Sequence, residues 1–137
     1  IKDATGDIPR GLELVDKCGD RLSVYSGEDA ISLALMEGGA SGTISVTANV
    51  APSLMAEMCS LALAGDIAEA AEIDRKLAAL HSTLFREANP IPVKWALVKM
   101  GLIESGIRLP LVELTGKYHI QVSDALKQAG ISFPVAA

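Results

Sequence analysis

The sequence predicts an α/β fold in which parallel β/α units are followed by a purely helical segment. Three short β-rich stretches, at residues 1–2, 21–26 and 42–47, alternate with helical stretches. After Asn49 the pattern becomes helical throughout. Because strands and helices that alternate at this spacing favour right-handed crossovers, we expect one small parallel sheet with helices packed on it.

The helical stretches between these strands carry recognisable start and stop signals. Residues 8–18 follow Asp7, a candidate N-cap, and place Pro9 in the first turn, where proline is tolerated. Residues 28–39 end in a glycine pair, which is a common C-terminal stop. Apolar residues recur at helical spacing in both stretches, so we expect both helices to pack against the sheet.

The first two helices of the later segment are defined by glycine, aspartate and leucine positions. One helix ends at Gly65, and Asp66 is a candidate N-cap of the next. That next helix has apolar residues at spacings of four, three and four, namely Ile73, Leu77, Leu80 and Leu84. Apolar residues at this spacing usually belong to the hydrophobic core, so we expect core packing and not a cofactor site here.

Two further helices complete the pattern. Asn89 as cap and Pro90 in the first turn open one that contains Trp95, a side chain we expect to pack on a neighbouring element. The last helix falls within residues 116–130. Its predicted apolar positions are Ile120, Ala125, Leu126 and Ala129.

The predicted sheet is too small to stand alone. Three parallel strands cannot close a barrel, and a half-sheet leaves apolar edges and one apolar face uncovered. We therefore expect the chain to be a fragment or to pair with another piece. Within it we divide β/α units at residues 1–65 from a helical domain at residues 66–137.

Composition narrows the class of protein. The chain has 137 residues, of which half are hydrophobic and 21% are charged, as in one globular domain. A net charge of −5 without a basic run argues against nucleic acid and anionic membranes as partners. Cys18 and Cys59 form no CxxC motif, so we expect two small buried thiols in a reducing cytosol.

Lys2 lies at the carboxyl end of the first predicted strand, where parallel β/α folds place catalytic residues. A lysine there can form a Schiff base with a carbonyl substrate through its neutral amine, which desolvation or a cationic neighbour favours. A solvated lysine near the start of the chain explains the same residue. Position alone favours that simpler interpretation.

The residues at the ends of the other two strands also have two interpretations. Gly27 permits a tight turn or a close approach of the backbone to a ligand. Glu28 and Asp29 occupy the first turn of the next helix, where acidic groups complement the helix dipole, and an acid–base pair is the weaker interpretation. Ile44 could shield a Schiff base from water, although plain core packing is the favoured interpretation from the residues alone.

The two histidines give no signal of a metal site. His81 and His119 are isolated in sequence, so we expect them on the surface or packed between helices. The sequence has no phosphate-binding loop, no GxSxG and no GxGxxG.

Five segments taken together resemble the C-terminal half of bacterial dihydrodipicolinate synthases. In order and spacing, these segments are IKDATGD, YSGEDA, GTISVTANVAP, REANPIPVKWAL and IRLPLVEL. The resemblance extends from residue 1 to about residue 131. The broader superfamily of Schiff-base lyases, which includes N-acetylneuraminate lyase, shares mainly the pattern around the lysine.

This resemblance implies the last three strands of a (β/α)8 TIM barrel, followed by a C-terminal helical extension. It implies an enzyme of lysine and diaminopimelate biosynthesis that condenses pyruvate with aspartate semialdehyde and needs no cofactor or metal. Lys2 matches the Schiff-base lysine of the family. Ile44 matches its pyruvate-contacting residue, and Gly27 matches a glycine that lines the same pocket.

Several parts of the family's active site have no match in this sequence. Its proton-donating tyrosine, its paired threonines and its relay tyrosine lie upstream of the lysine, and neither Tyr25 nor Tyr118 corresponds to them. We therefore expect the chain alone to lack useful activity and to need the N-terminal half of the barrel. The resemblance also implies a cytoplasmic homotetramer.

Two alternatives remain open from the sequence. One is a different pyruvate-dependent lyase of the superfamily, such as N-acetylneuraminate lyase. The other is a non-catalytic interaction module derived from the family.

Overall fold

A computed structural model describes residues 1–132 of the chain. The strands are β1 (Lys2–Asp3), β2 (Tyr25–Ser26) and β3 (Gly42–Thr43). The helices are α1 (Ile8–Cys18), α2 (Ser32–Glu37), α3 (Pro52–Ala64), α4 (Ile67–Thr83), α5 (Ile91–Lys99) and α6 (His119–Gln128). Short 3-10 turns occupy Gly19–Arg21, Asp29–Ile31, Thr47–Asn49 and Gly116–Tyr118.

The three strands form one parallel sheet in the order β1, β2, β3. Lys2 is paired with Tyr25, and Tyr25 is paired with Gly42 in the next strand. Helix α1 connects β1 to β2, and α2 connects β2 to β3. The predicted α/β class, with parallel β/α units followed by helices, is confirmed.

The second and third strands are shorter than the sequence pattern predicts. Pairing of β2 begins late because a 3-10 turn occupies residues 19–21. Strand β3 ends at Thr43, and the backbone N–H groups of Val46 and Thr47 donate to the Asp29 carboxylate. Those two N–H groups are therefore not available to a strand ladder.

Two of the three predicted N-caps stand at the N-cap position, and one of these two makes a side-chain capping hydrogen bond. The Asp7 carboxylate accepts a hydrogen bond from the Arg10 N–H at 3.1 Å, as expected of an N-cap. Asp66 precedes α4, but its side chain makes no capping hydrogen bond. The residue at the N-cap of α5 is Pro90 and not Asn89, because the helix begins only at Ile91.

Helices α3, α4 and α6 enclose the main hydrophobic core. The predicted stripe of α4 is confirmed, since its four residues are at most 6% exposed. In α6 the prediction for Ile120 is wrong, because this side chain is 74% exposed. The buried face of α6 is formed instead by Val122, Ala125 and Leu126, which recur at helical spacing.

One continuous core extends from Met36 in α2 to Ala129 after α6. It includes residues on both sides of position 65, and the division of the chain into two domains there stays a prediction. The helical segment contacts the β/α units through α3, which touches β3, and through α4, which touches the 3-10 turns after β2 and β3.

Candidate functional site

Lys2 has an exposed side chain that extends along the strand towards Gly27. In the sheet register Lys2 is paired with Tyr25, two positions before Gly27. A Cβ atom placed on Gly27 would lie only 2.7 Å from the Lys2 Cε and 2.7 Å from the Ala4 Cβ. Glycine at position 27 therefore leaves the space that the lysine side chain occupies.

Hydrogen bonds continue beyond the paired strand residues and define the edge where Lys2 lies. The Gly27 N–H donates to the Asp3 carbonyl at 2.6 Å, and the Ile44 N–H donates to the Ser26 carbonyl at 2.8 Å. Since the strands are parallel, Gly27 and Ile44 lie at the carboxyl edge of the sheet, which is where such folds bind ligands. The Lys2 side chain reaches the same edge.

Ile44 is 50% exposed at this edge. Strand order places it on the strand beyond the one that carries Gly27, so β2 separates it from Lys2. Its exposure gives the carboxyl end of the sheet an apolar surface. Such a surface can exclude water from a bound carbonyl compound.

A buried carboxylate anchors the strand that carries Lys2. Asp3 is 5% exposed, and its Oδ2 accepts a hydrogen bond from the Thr5 hydroxyl at 3.1 Å. The Arg10 Nε lies 3.8 Å from the other carboxylate oxygen. Sequence reasoning missed this anchor, because the predicted strand ended at Lys2, and an acidic residue directly after it was the only signal.

Buried hydroxyl groups fix the turn that contains Gly27. The Ser26 and Ser32 hydroxyls lie 2.8 Å and 2.9 Å from the Glu28 carbonyl, and both serines are fully buried. The Ser32 hydroxyl is also 2.8 Å from that of Thr43. These hydrogen bonds join α2 and β3 to the Gly27 turn, and small polar residues near strand ends were their only signal in the sequence.

The adjacent acidic residues have different environments. Asp29 is 2% exposed, and its carboxylate accepts hydrogen bonds from the N–H groups of Val46 and Thr47 in the loop after β3. The Glu28 side chain is half-buried. Asp29 therefore stands in the first turn of its own 3-10 helix, as predicted, and its carboxylate also binds a neighbouring loop.

The histidines pack between elements, as predicted. His81 is buried, with Nδ1 2.9 Å from the Thr47 hydroxyl and Nε2 3.5 Å from an Asp74 carboxylate oxygen. His119 stacks on Trp95 with 4.5 Å between ring centroids. The packing predicted for Trp95 is thus also confirmed.

The described part of the chain offers no alternative centre of a familiar kind. Among residues 1–132, no group of three or more His, Cys, Asp or Glu side chains is arranged to hold a metal ion. Within the same range no helix has both the length and the apolar character that a membrane span requires.

A family model and individual sequences match this chain over nearly all of its length. The model described as the dihydrodipicolinate synthetase family matches residues 1–129. A 4-hydroxy-tetrahydrodipicolinate synthase of Nitrosomonas europaea is 58% identical over 132 residues, which are 96% of this chain and 45% of that protein. The protein of the same name from Marinobacter nauticus is 56% identical over 131 residues, again 96% of this chain and 45% of the relative.

Solved structures give the same result. A dihydrodipicolinate synthase from Acinetobacter baumannii, described as chloride inhibited and complexed with pyruvate, superposes with a TM-score of 0.93 at 54% identity. The superposed region covers 96% of this chain and 45% of the Acinetobacter baumannii chain. A structure named as the first monomeric dihydrodipicolinate synthase variant has a TM-score of 0.89 at 38% identity, with 96% and 45% covered. The chain thus spans less than half the length of the proteins that it matches.

Proposed function

The chain belongs to the dihydrodipicolinate synthetase family, and we propose that it supplies the Schiff-base lysine of a 4-hydroxy-tetrahydrodipicolinate synthase. Because the chain spans 45% of the relatives with this name, the activity is proposed for a protein of their full length. The contact between Lys2 and Gly27 at the carboxyl edge of the sheet is the observation that carries the proposal.

In the proposed reaction the Lys2 Nζ attacks the ketone carbon of pyruvate, and loss of water leaves an imine. Loss of a methyl proton then gives an enamine, whose terminal carbon forms a bond to the aldehyde carbon of aspartate semialdehyde. The amino group of the condensed product displaces Lys2 from the imine, which closes the ring and frees the lysine. The protonated imine between Lys2 and pyruvate accepts the electron pair left by the methyl proton, so the proposed mechanism needs no cofactor.

Gly27 and Ile44 have different roles in this proposal. Gly27 leaves room for the lysine side chain and for pyruvate beside it. Ile44 supplies an apolar wall that excludes water from the imine. The Lys2 side chain is exposed to solvent in the structure of residues 1–132. The groups that move protons and bind the substrate carboxylate would therefore come from the rest of the barrel.

We propose that β1, β2 and β3 are the last three strands of a (β/α)8 barrel and that the later helices form its C-terminal extension. Among the described residues β1 and β3 each pair only with β2, so both edges of the sheet are open to further strands. The TM-score of 0.93 to a dihydrodipicolinate synthase supports this placement. The proposed homotetramer and cytoplasmic location rest on family resemblance.

A chimera tests the function directly. In the chimera, this chain replaces the matching segment of the Nitrosomonas europaea relative, which is 58% identical to it. Pyruvate and borohydride are added, and peptide mass spectrometry locates the reduced adduct. We expect the adduct on Lys2 and turnover with aspartate semialdehyde. A Lys2→Arg chimera, which keeps the charge, should show neither.

Three results would contradict the proposal in distinguishable ways. A folded chimera without an adduct on Lys2 would overturn the role of the lysine. An adduct together with cleavage of N-acetylneuraminate and no reaction with aspartate semialdehyde would indicate the other lyase. Full turnover by the bare chain would contradict the need for the rest of the barrel.

A further inference from the structure

We propose that Asp29 is a positioning residue that fixes the Ile44 segment relative to the Gly27 turn. The inference rests on the proposed function, because the geometry it protects is that of the imine on Lys2. Asp29 touches no proposed reacting atom. It acts through the two loops that carry Gly27 and Ile44.

The Asp29 carboxylate is a bridge between those loops. It lies two positions after Gly27, and its Oδ2 accepts hydrogen bonds from the N–H groups of Val46 at 3.1 Å and Thr47 at 2.9 Å. Val46 in turn lies two positions after Ile44. One side chain thus joins the turn beside the lysine to the segment that follows the apolar wall.

The environment of Asp29 explains why the bridge is rigid. The residue is 2% exposed, and its Oδ1 has no hydrogen-bond partner among residues 1–132. A buried carboxylate is costly unless it is bound, and its bonds to N–H groups are stronger than neutral ones. The N–H groups of Val46 and Thr47 therefore stabilise the buried Asp29 carboxylate, and the carboxylate in turn fixes the position of these two N–H groups.

A second set of contacts holds the same loop from the opposite side. The Thr47 hydroxyl is 2.9 Å from Nδ1 of His81 on α4, and His81 Nε2 is 3.5 Å from Asp74. Thr47 and His81 are both buried. Thr47 is thus bound through its backbone by Asp29 and through its side chain by α4.

The loop owes little of its shape to the sheet. Strand pairing ends at Thr43, and Ile44 contributes a single ladder hydrogen bond to the Ser26 carbonyl. Without Asp29, the segment after Ile44 would keep its local hydrogen bonds, the contact from Thr47 to His81 and its packing on the core, but it would lose its link to the Gly27 turn. We therefore expect a neutral residue at position 29 to loosen Ile44 while the core below stays intact.

The test compares Asp29→Asn with Glu28→Gln in the chimera. Each variant removes one carboxylate charge, but Glu28 is half-buried, and the hydrogen bonds found for it within residues 1–132 are made by its backbone. For Asp29→Asn we expect the Michaelis constant for pyruvate to rise and kcat/KM to fall by about tenfold or more, as a small misplacement at a reacting centre does. Glu28→Gln should leave both within about twofold.

The split between constants separates positioning from a merely structural role. Partial unfolding would lower the number of active sites and hence kcat, and it would leave the Michaelis constant unchanged. Hydrogen exchange gives a second readout, since the amides of Val46 and Thr47 should exchange faster in Asp29→Asn than in Glu28→Gln. A lower kcat with an unchanged Michaelis constant and unchanged exchange would overturn the proposal.

A second variant removes the interaction from the other side. Val46 has φ −78°, which suits proline, so Val46→Pro deletes one donated N–H and keeps the Asp29 carboxylate. Like Asp29→Asn, Val46→Pro should raise the Michaelis constant for pyruvate. If Asp29→Asn does not fold, Val46→Pro takes its place in the test. If borohydride still traps Lys2 while both variants behave like the parent chimera, only the role of Asp29 fails. If Lys2 is never trapped, the proposed function fails first.

Discussion

Lys2 lies in β1 and Gly27 directly follows β2, and the Lys2 Cε lies where a side chain at position 27 would begin. The contact arises from the parallel register, which pairs Lys2 with Tyr25 and lets the long lysine side chain run forward along the strand. Two positions that are 25 apart in the chain thus determine each other's side chains.

Gly27→Ala tests this contact. The new Cβ would lie 2.7 Å from the Lys2 Cε and 2.7 Å from the Ala4 Cβ, so the lysine must move. We expect the rate of borohydride trapping in the chimera to fall by about tenfold or more, because the amine is displaced from the reacting geometry. Gly116→Ala is the matched control, since nothing lies within 4 Å of its added Cβ. Equal trapping rates in the two variants would contradict the close contact.

The parts of the fold that the sequence predicts correctly depend on local pattern. The cap by Asp7 and the stripe of α4 both involve residues within a few positions of one another. Ile120 was misplaced because an apolar residue near the start of a helix fits more than one face until the neighbouring helices are known. In the site, strand ends pointed to Lys2, Gly27 and Ile44, whose roles stay predictions.

The bridge from Asp29 could not be predicted in the same way. Its Oδ2 accepts from backbone N–H groups 17 and 18 positions away, and a backbone donor leaves no trace in residue type. The contact from Thr47 to His81 spans 34 positions. Contacts of this kind between polar groups can therefore be recognised only when the packing of the β/α units against α4 is known.

Truncation of the α4 stripe should weaken the whole chain. Leu80 is fully buried, so Leu80→Ala is expected to destabilise the fold by about 2–5 kcal/mol through lost burial and a cavity. Leu63 on α3 is 57% exposed and provides the control, because Leu63→Ala removes the same atoms from a solvated position. Thermal midpoints of the two chimeras should differ by several degrees. A loss of similar size for both variants would argue against the buried stripe.

The pair of Glu13 and Lys17 on α1 predicts a local dependence on pH. A hydrogen bond and the positive charge of Lys17 lower the pKa of the Glu13 carboxyl. The contribution of the pair to stability is therefore present above the unfolded pKa of Glu13 and is lost as pH falls through the folded value. Lys17→Met should raise the pKa of Glu13 in an NMR titration, and Lys76→Met on α4 should leave it unchanged. High salt should act like Lys17→Met, since the pair is exposed.

The pKa of the Cys59 thiol on α3 depends on the charge of Asp29. Burial first, and the nearby Asp29 carboxylate second, raise the pKa of the Cys59 thiol. Its alkylation by iodoacetamide should therefore be slow at pH 8 and accelerate as pH rises, because the thiolate is the nucleophile. Asp29→Asn should shift this pH profile to lower pH by removing the negative charge, whereas Glu28→Gln should not. Cys18, also free and half-buried, is the internal control within each sample. A uniform increase in the rate at every pH would instead indicate a more accessible thiol, and an unchanged profile would contradict the proximity of the two side chains.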